Sequence, residues 1–160
     1  MGKCKITKKK SKDIINFGKM PIANGFLDKK DFKDEFFFNM TASFSENISL
    51  LQLNDHPKPK MMFNKDYPFF TSSSEFMKIH FKDYANWIKK KYLKPGGKII
   101  ELGSNDGTFL KNFSNTSFEH VGFEPSKNVS LIAKKNKVNS LNEFFSRKNM
   151  YKAEKFIENP

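Results

Sequence analysis

The chain has 160 residues, with 29 Lys or Arg against 17 Asp or Glu and a formal net charge of +12. That length holds one ordinary domain, or a small domain with part of a larger one. Hydrophobic residues make up 38%, 19 of the residues being Phe, so wholesale disorder is excluded. No apolar run approaches the ~20 residues of a membrane-spanning helix, and no apolar segment follows the lysine-rich start, which excludes a secretory signal. Cys4 is the only cysteine, which excludes an intrachain disulfide framework and a complete cysteine zinc site. A soluble, cytoplasmic protein of mixed structure is expected. Its basic charge suits phosphate, but Arg147 is the only arginine and the lysines are scattered, apart from Lys8-Lys9-Lys10 and Lys89-Lys90-Lys91. Specific nucleic-acid readout, which favours arginine, is therefore not expected.

In chain order, residues 1–12 carry six lysines and little apolar pattern, and read as a mobile start. From Ile14 to Phe38, apolar clusters alternate with Gly18, Pro21 and Asn24-Gly25, which predicts short strands and loops. Ile48 to Leu53 reads as a strand, and His56 to Pro59, with two prolines, as a linker. Ser72-Ser73-Ser74 offers N-caps to a helix on which Phe76, Ile79, His80, Ala85, Trp87, Ile88 and Tyr92 recur. Pro95-Gly96-Gly97 ends it. A strand over Lys98 to Leu102, a glycine turn, a helix from Thr108 to Phe113 and a strand over His120 to Glu124 follow. Ser126 is the N-cap candidate for a helix over Asn128 to Lys135, and a weak strand is expected near Val138 to Leu141. This alternation predicts an α/β fold, the first half of a Rossmann-like doubly wound sheet. The segments divide as 1–56, 57–94 (linker, lid loop and helix) and 95–160.

The chemistry is concentrated in Glu101-Leu102-Gly103-Ser104-Asn105-Asp106-Gly107. Gly103 allows a sharp turn off the strand and close approach of a ligand, and Gly107 allows close packing where the helix begins. Free N–H groups at that helix start suit an anionic or polar group. Glu124, at the tip of the next strand, is placed to accept both hydroxyls of a ribose. A dinucleotide fingerprint is G-x-G-x-x-G, whereas this loop is G-x-x-x-G with a leading Glu. The pattern points to a nucleoside with an amino-acid tail.

The run Ile100 to Leu110 resembles the first motif of class I S-adenosylmethionine-dependent methyltransferases. More narrowly, the chain is similar to the branch with an N-terminal zinc-binding domain, which includes sugar carbon-methyltransferases. Four further blocks match that branch in order: Phe17 to Asn24, Leu50 to Leu53, Asp66 to Ser74 leading to His80, and Gly122 to Pro125 before Asn142 to Phe145. The resemblance implies a cofactor site built from Glu101, Gly103, Ser104, Asn105, Asp106, Gly107, Glu124, Pro125 and Phe144, with Phe144 or Phe145 beside the adenine. It also implies that Tyr67, Phe69, Phe70 and Ser72 belong to a loop closing over cofactor and substrate, and that a nucleotide-linked sugar is the acceptor. Where the family often has tyrosine, the chain has Phe69 or Phe70. The implied zinc ligands are two C-x-x-C pairs, and here they fall on Cys4 and Thr7, and on Ser45 and Ile48. The N-terminal domain is thus expected to have lost its ligands, Cys4 being a relic, and no zinc is expected. The chain ends about where a fourth strand would begin, so a truncated family member is expected.

Tyr67 and His80 are the weak catalytic candidates; His80 on a helix reads more simply as a packing residue. His56 and His120 have no visible partner, and Phe36-Phe37-Phe38 reads as core or as an interface. Two functions compete: a methyltransferase, whole or in part, and an inactive binding or interaction module. Val121, Phe123, Ile99 and Leu102 are expected to lack cover, which predicts self-association or a partner chain supplying the missing half.

Overall fold

The computed structural model describes residues 2–157. Residue 1 and residues 158–160, the outermost parts of the predicted segments 1–56 and 95–160, lie outside the described residues. The chain divides into two compact units, Met1–Met62 and Phe63–Pro160. The described residues form a mixed α/β structure with two three-stranded sheets. Among the described residues, no helix is long and apolar enough to cross a membrane.

The first unit is an antiparallel sheet in the order β1 (Lys12–Pro21), β2 (Phe37–Ser45), β3 (Leu50–Leu53). The predicted short strands before Phe38 are one long strand, broken in register between Asn16 and Lys19, where Gly18 takes φ +76°. Asn16 Oδ1 accepts from Gly18 N at 2.8 Å and stabilises that irregularity. The predicted strand from Ile48 begins only at Leu50. Glu46–Ile48 is a turn of 3-10 helix and Ser49 is left-handed at φ 51°. On β2 the buried side chains are Phe38, Thr41, Ser43 and Ser45, so the covered face is largely hydroxylic. The expected mobile start is instead a pinned turn: Cys4 N donates to Lys9 O at 2.7 Å and Cys4 is fully buried. Within the expected linker, Pro59–Met62 forms the short helix α1.

The second unit holds α2 (Glu75–Lys91) and a parallel sheet in the order β4 (Lys98–Leu102), β5 (Glu119–Phe123), β6 (Ser140–Leu141). Ser74 caps α2 by accepting from Met77 N at 3.3 Å. Helix α3 (Lys127–Lys135) joins β5 to β6. Its expected cap is absent: the Ser126 hydroxyl is buried without a partner. The helix expected from Thr108 shrinks to a 3-10 turn over Leu110–Asn112. Asn112 Nδ2 donates to Thr108 O and Phe109 O, and Thr116 Oγ1 to Phe113 O, so short polar side chains take the carbonyls that an α-helix would use. Of the N–H groups that follow Gly107, that of Thr108 is taken by Asp106 Oδ1 at 3.3 Å.

The central strand β5 is covered, with four of its five residues buried. Phe109, Leu110 and Phe113 pack with Ala85 of α2, Ala133 of α3 and Val138, and Ile99 joins them. On the other face Val121 and Phe123 lie against Ala153 and Ile157. The expectation that those two strand residues lack cover is therefore wrong: the turn over Met150–Lys155 shields them. Leu102 does remain 56% exposed. Gly122 is required by packing, because an added Cβ would lie 2.2 Å from Ser104 Oγ and 2.5 Å from Ser104 Cβ. Gly122→Ala is expected to cost about 2–3 kcal/mol by displacing the loop after β4, as read from chemical denaturation midpoints.

Candidate functional site

Strands β4 and β5 run parallel with Glu101 opposite Gly122 and Leu102 opposite Phe123. Their carboxyl ends therefore release the 103–107 loop and residues 124–126 at the same edge. Gly103 N and Ser104 N both donate to Phe123 O, at 2.8 and 3.2 Å. The loop then winds through three positive φ angles: Gly103 (75°), Asn105 (49°) and Gly107 (76°). At Gly103 a Cβ would meet nothing within 4 Å, so its outer side is open. At Gly107 a Cβ would sit 2.9 Å from Val138 Cγ2 and 3.1 Å from Ala133 Cβ, and that glycine serves packing as well as conformation.

Glu124 is 5% exposed and held from two directions. Oε2 accepts from Asn105 N at 2.9 Å and Oε1 from Ser126 N at 2.7 Å. A carboxylate has about four acceptor positions, so each oxygen keeps capacity for a further donor. Asn142 Nδ2 donates to Glu124 O and Pro125 O, at 3.0 and 2.8 Å, and fixes the segment behind it. The carboxylate opens onto a cleft of about 250 Å³ lined by Phe63, Tyr67, Gly103, Asn105, Phe123, Glu124, Pro125, Phe144 and Phe145. Phe63 meets Tyr67 at 5.7 Å and Phe144 edge-on at 6.3 Å, while Phe145 meets Phe123 edge-on at 5.2 Å. Flat apolar walls, one fixed carboxylate and an open glycine loop suit a ring system bearing vicinal hydroxyls. A larger depression in the first unit, about 600 Å³, is bordered by Lys9, Lys10, Lys12, Asp13 and Glu46, with no glycine among its lining residues.

The segment from Tyr67 to Ser74 is tied to this loop. Asn105 Nδ2 donates to Phe69 O at 3.0 Å, and Asn105 Oδ1 accepts from Thr71 N at 3.0 Å. Asp106 Oδ2 accepts from Ser72 N at 2.9 Å, and Asn128 Nδ2 donates to Tyr67 O at 2.7 Å. Tyr67 reaches the cleft and Phe69 packs on Tyr67 edge-on at 5.6 Å, whereas Ser72 ties the segment to Asp106 through its N–H and Phe70 O accepts from Ser73 Oγ within the segment. Burial, and then the Glu124 charge, raise the Tyr67 phenol above its ordinary value.

Of the cofactor residues expected from the motif, Gly103, Asn105, Glu124, Pro125 and Phe144 line the cleft. Glu101, Ser104, Asp106 and Gly107 are not among its lining residues. Asp106 is fully buried and accepts from Thr108 Oγ1 at 2.6 Å as well as from Ser72. Burial works to raise its pKa, but hydrogen bonds from Thr108 and Ser72 outweigh it and hold the carboxyl below the usual range. Glu101 has no such help. Burial, reinforced by Asp106 and Glu124, pushes its carboxyl from 4.5 up to about 8, and Glu101 Oε2 is buried without a partner. His80 is not brought to the cleft: it is exposed on α2, stacked on Tyr84. His120 is buried in β5, where its ring accepts from Asn139 N and burial lowers its pKa. Phe63 and Phe123 were not anticipated as lining residues. Phe63 lies in the expected linker and only its aromatic character marks it, and Phe123 reads in sequence as plain strand core.

In the first unit the structure gathers three of the four expected zinc-ligand positions. Thr7 N donates to Cys4 Sγ at 3.4 Å. The Ser45 hydroxyl and then the Thr7 side chain lower the Cys4 thiol from 9.0 to about 6. Ile48, a hydrocarbon, is 41% exposed. Zinc takes thiolate, imidazole or carboxylate donors, and this set offers one thiol and two neutral hydroxyls, so the residues present do not fit a structural zinc. Among the described residues no group of three or more His, Cys, Asp or Glu is placed to hold a metal ion.

Residues 4–63 match a family model described as a "putative zinc binding domain". The chain is also 25% identical over 123 residues to the C-methyltransferase NovU of Streptomyces niveus. That match covers 76% of this chain and 29% of NovU, so the chain spans well under half the length of the relative.

Proposed function

Because its N-terminal domain is C-methyltransferase-like, we propose that this chain binds S-adenosylmethionine in the cleft beside Glu124. The methyl acceptor in this reading is a carbon of a nucleotide-linked sugar or similar small molecule. One observation carries the reading: a carboxylate fixed by two backbone donors at a strand tip, facing an aromatic-walled cleft and a glycine loop. In this reading β4, the glycine loop, β5, α3 and β6 are the first half of a Rossmann-like doubly wound sheet, with the ligand at its carboxyl edge.

The roles follow from position. Glu124 accepts the ribose hydroxyls, Phe144 with Phe63 and Tyr67 flanks the base, and the open side of Gly103 receives the amino-acid tail. Glu101 places a carboxylate behind that tail. Ser104, Asp106 and Gly107 act from beneath by holding the loop, and Asn105 joins the loop to the Tyr67–Ser74 segment. That segment, with Phe69, Phe70 and Ser72, forms one wall toward the acceptor and keeps water out. When bound, the cofactor supplies an electrophilic methyl group on a cationic sulfur. Tyr67, its phenol kept protonated, serves as a hydrogen-bond donor and not as the base that would take a proton from the acceptor carbon. The partner supplying a base is a further chain or chain segment that also covers the exposed Leu102 on β4.

Titration with S-adenosylhomocysteine is the test. A single saturable site is expected, and Glu124→Ala is expected to weaken binding about tenfold or more, since it removes charge-assisted hydrogen bonds. No heat from a folded protein overturns the reading. A second reading, a binding module without turnover, is favoured by the cleft itself, whose titratable lining residues are Tyr67 and Glu124. It is separated from the first by a methyl-transfer assay with nucleotide-linked ketosugars run with the chain that supplies the base added: turnover then favours the first reading and none the second, while the isolated chain is expected to show no turnover in either.

A further inference from the structure

The first unit matches a zinc-binding domain but offers a donor set that does not fit zinc, and yet its N-terminal turn is closed. Cys4 N donates to Lys9 O at 2.7 Å, Lys8 N to Cys4 O at 2.9 Å and Ser11 N to Gly2 O at 3.0 Å. Lys3 and Lys10 form an antiparallel bridge across it. These bonds shape the turn but do not attach it to the sheet. In a domain with ligand pairs at 4 and 7 and at 45 and 48, a metal would make that attachment, joining the turn to the β2–β3 connection.

Here the attachment to β3 runs through Gln52, in the middle of that strand, while Gly2 also bonds Asp13 of β1. Its Oε1 accepts from Lys5 N at 2.9 Å and its Nε2 donates to Lys3 O at 2.9 Å. One amide thus grips the residues on either side of Cys4, and it does so across 47 and 49 residues of chain. Gln52 itself is positioned by β2, its backbone lying opposite Ser43 in the ladder. Beneath this grip the Cys4 side chain is fully buried, with Thr7 N donating to its sulfur and the Ser45 side chain also fully buried. The Thr7 and Ser45 hydroxyls have no oxygen or nitrogen partner, so the space left by the missing thiolates is filled by smaller, neutral groups.

We propose that in this chain a two-bond clasp from Gln52, closing over the buried Cys4, takes the place of the structural metal, so that the N-terminal domain folds and keeps its shape without zinc. A metal cross-link and a bidentate amide do the same physical work: each ties two segments distant in sequence at one point, and its favourable energy offsets the entropy of closing the chain between them. The clasp is weaker, because each neutral hydrogen bond contributes only modestly, but it needs neither deprotonated ligands nor an ion.

The test uses the full chain, measured for metal content, melting and hydrogen exchange at residues 2–11. After dialysis, less than about one zinc per ten chains is expected, with melting unchanged by a chelator or by added zinc. Gln52→Leu is expected to speed exchange at residues 2–11 about tenfold or more, while Gln52→Glu, which keeps one acceptor, falls between. In a chain carrying Thr7→Cys, Ser45→Cys and Ile48→Cys, zinc is expected to restore the protection that Gln52→Leu removes, and cobalt to give the absorption of thiolate coordination. Near-equimolar zinc in the unaltered chain overturns the proposal, as does unchanged exchange in Gln52→Leu. Both results are independent of whether S-adenosylhomocysteine binds the second unit.

Discussion

Glu101→Gln is expected to make the protein more stable at pH 8 than the unaltered chain, and to leave it nearly unchanged at pH 4.5. The carboxyl is pushed from 4.5 up to about 8 by burial and by Asp106 and Glu124. The folded state therefore holds a proton that the unfolded chain releases, and stability is lost as pH rises from about 4.5 to about 8. Above that window both states are ionised and the loss levels off. Glutamine cannot ionise, so the variant escapes the loss, by on the order of 3 kcal/mol after allowing for partial exposure of the side chain. Urea denaturation at half-unit pH steps measures it: the unaltered chain should slope downward across the window and the variant should be flat. Parallel slopes would show that Glu101 ionises normally in the folded state. Under the proposed function, a cationic tail arriving beside Glu101 draws off this proton, so titration with S-adenosylhomocysteine at pH 7 should release close to one proton in the unaltered chain and none in the variant.

Asp106→Ala is expected to be the most damaging single change in the second unit. Asp106 is fully buried and its carboxylate takes hydrogen bonds from Ser72 N, Thr108 Oγ1 and Thr108 N. Truncation leaves those donors unpaired in a buried place, at a cost of about 3 kcal/mol or more. It also cuts one of the ties between the glycine loop and the Tyr67–Ser74 segment, so hydrogen exchange at Ser72 should rise more than exchange in α2. Asp106→Asn, which keeps one acceptor oxygen, should recover part of the stability. The pH dependence is opposite in sign to that of Glu101: the Asp106 pKa is depressed on folding, so its contribution is present above the ordinary value of 3.8 and is lost as pH falls below it. An Asp106→Ala chain that melts with the unaltered one would place the carboxylate outside the loop's supporting network.

The glycine loop, the strands on either side of it, Glu124 at a strand tip and the helix capped by Ser74 were legible in the amino-acid sequence alone. Their signals are local: short runs rich in Ile, Leu, Val and Phe, glycines at positions that must take positive φ, and a serine one residue before an amphipathic helix. The loss of zinc-ligand side chains was legible for the same reason, since it is a matter of residue type at a spacing. What the tertiary structure alone decided are the features made by residues far apart in the chain. Phe63 and Tyr67 form cleft wall with Phe144 because a segment read as linker folds against the strand ends. Asn105 and Asp106, which read as ligand residues, turn much of their hydrogen bonding toward Phe69, Thr71 and Ser72. The helix after Gly107 became a 3-10 turn because Asn112 and Thr116 compete for its carbonyls. Val121 and Phe123 gained cover from Ala153 and Ile157, which no periodicity linked to them. The lysine-rich start, a turn closed by its own backbone bonds, is tied to β3 through Gln52, 47 residues from Lys5. Local pattern sets which backbone conformations are cheap, but a hydrogen-bond partner or a packing surface across tens of residues is chosen only when the whole unit closes, because its energy exists only in the assembled fold.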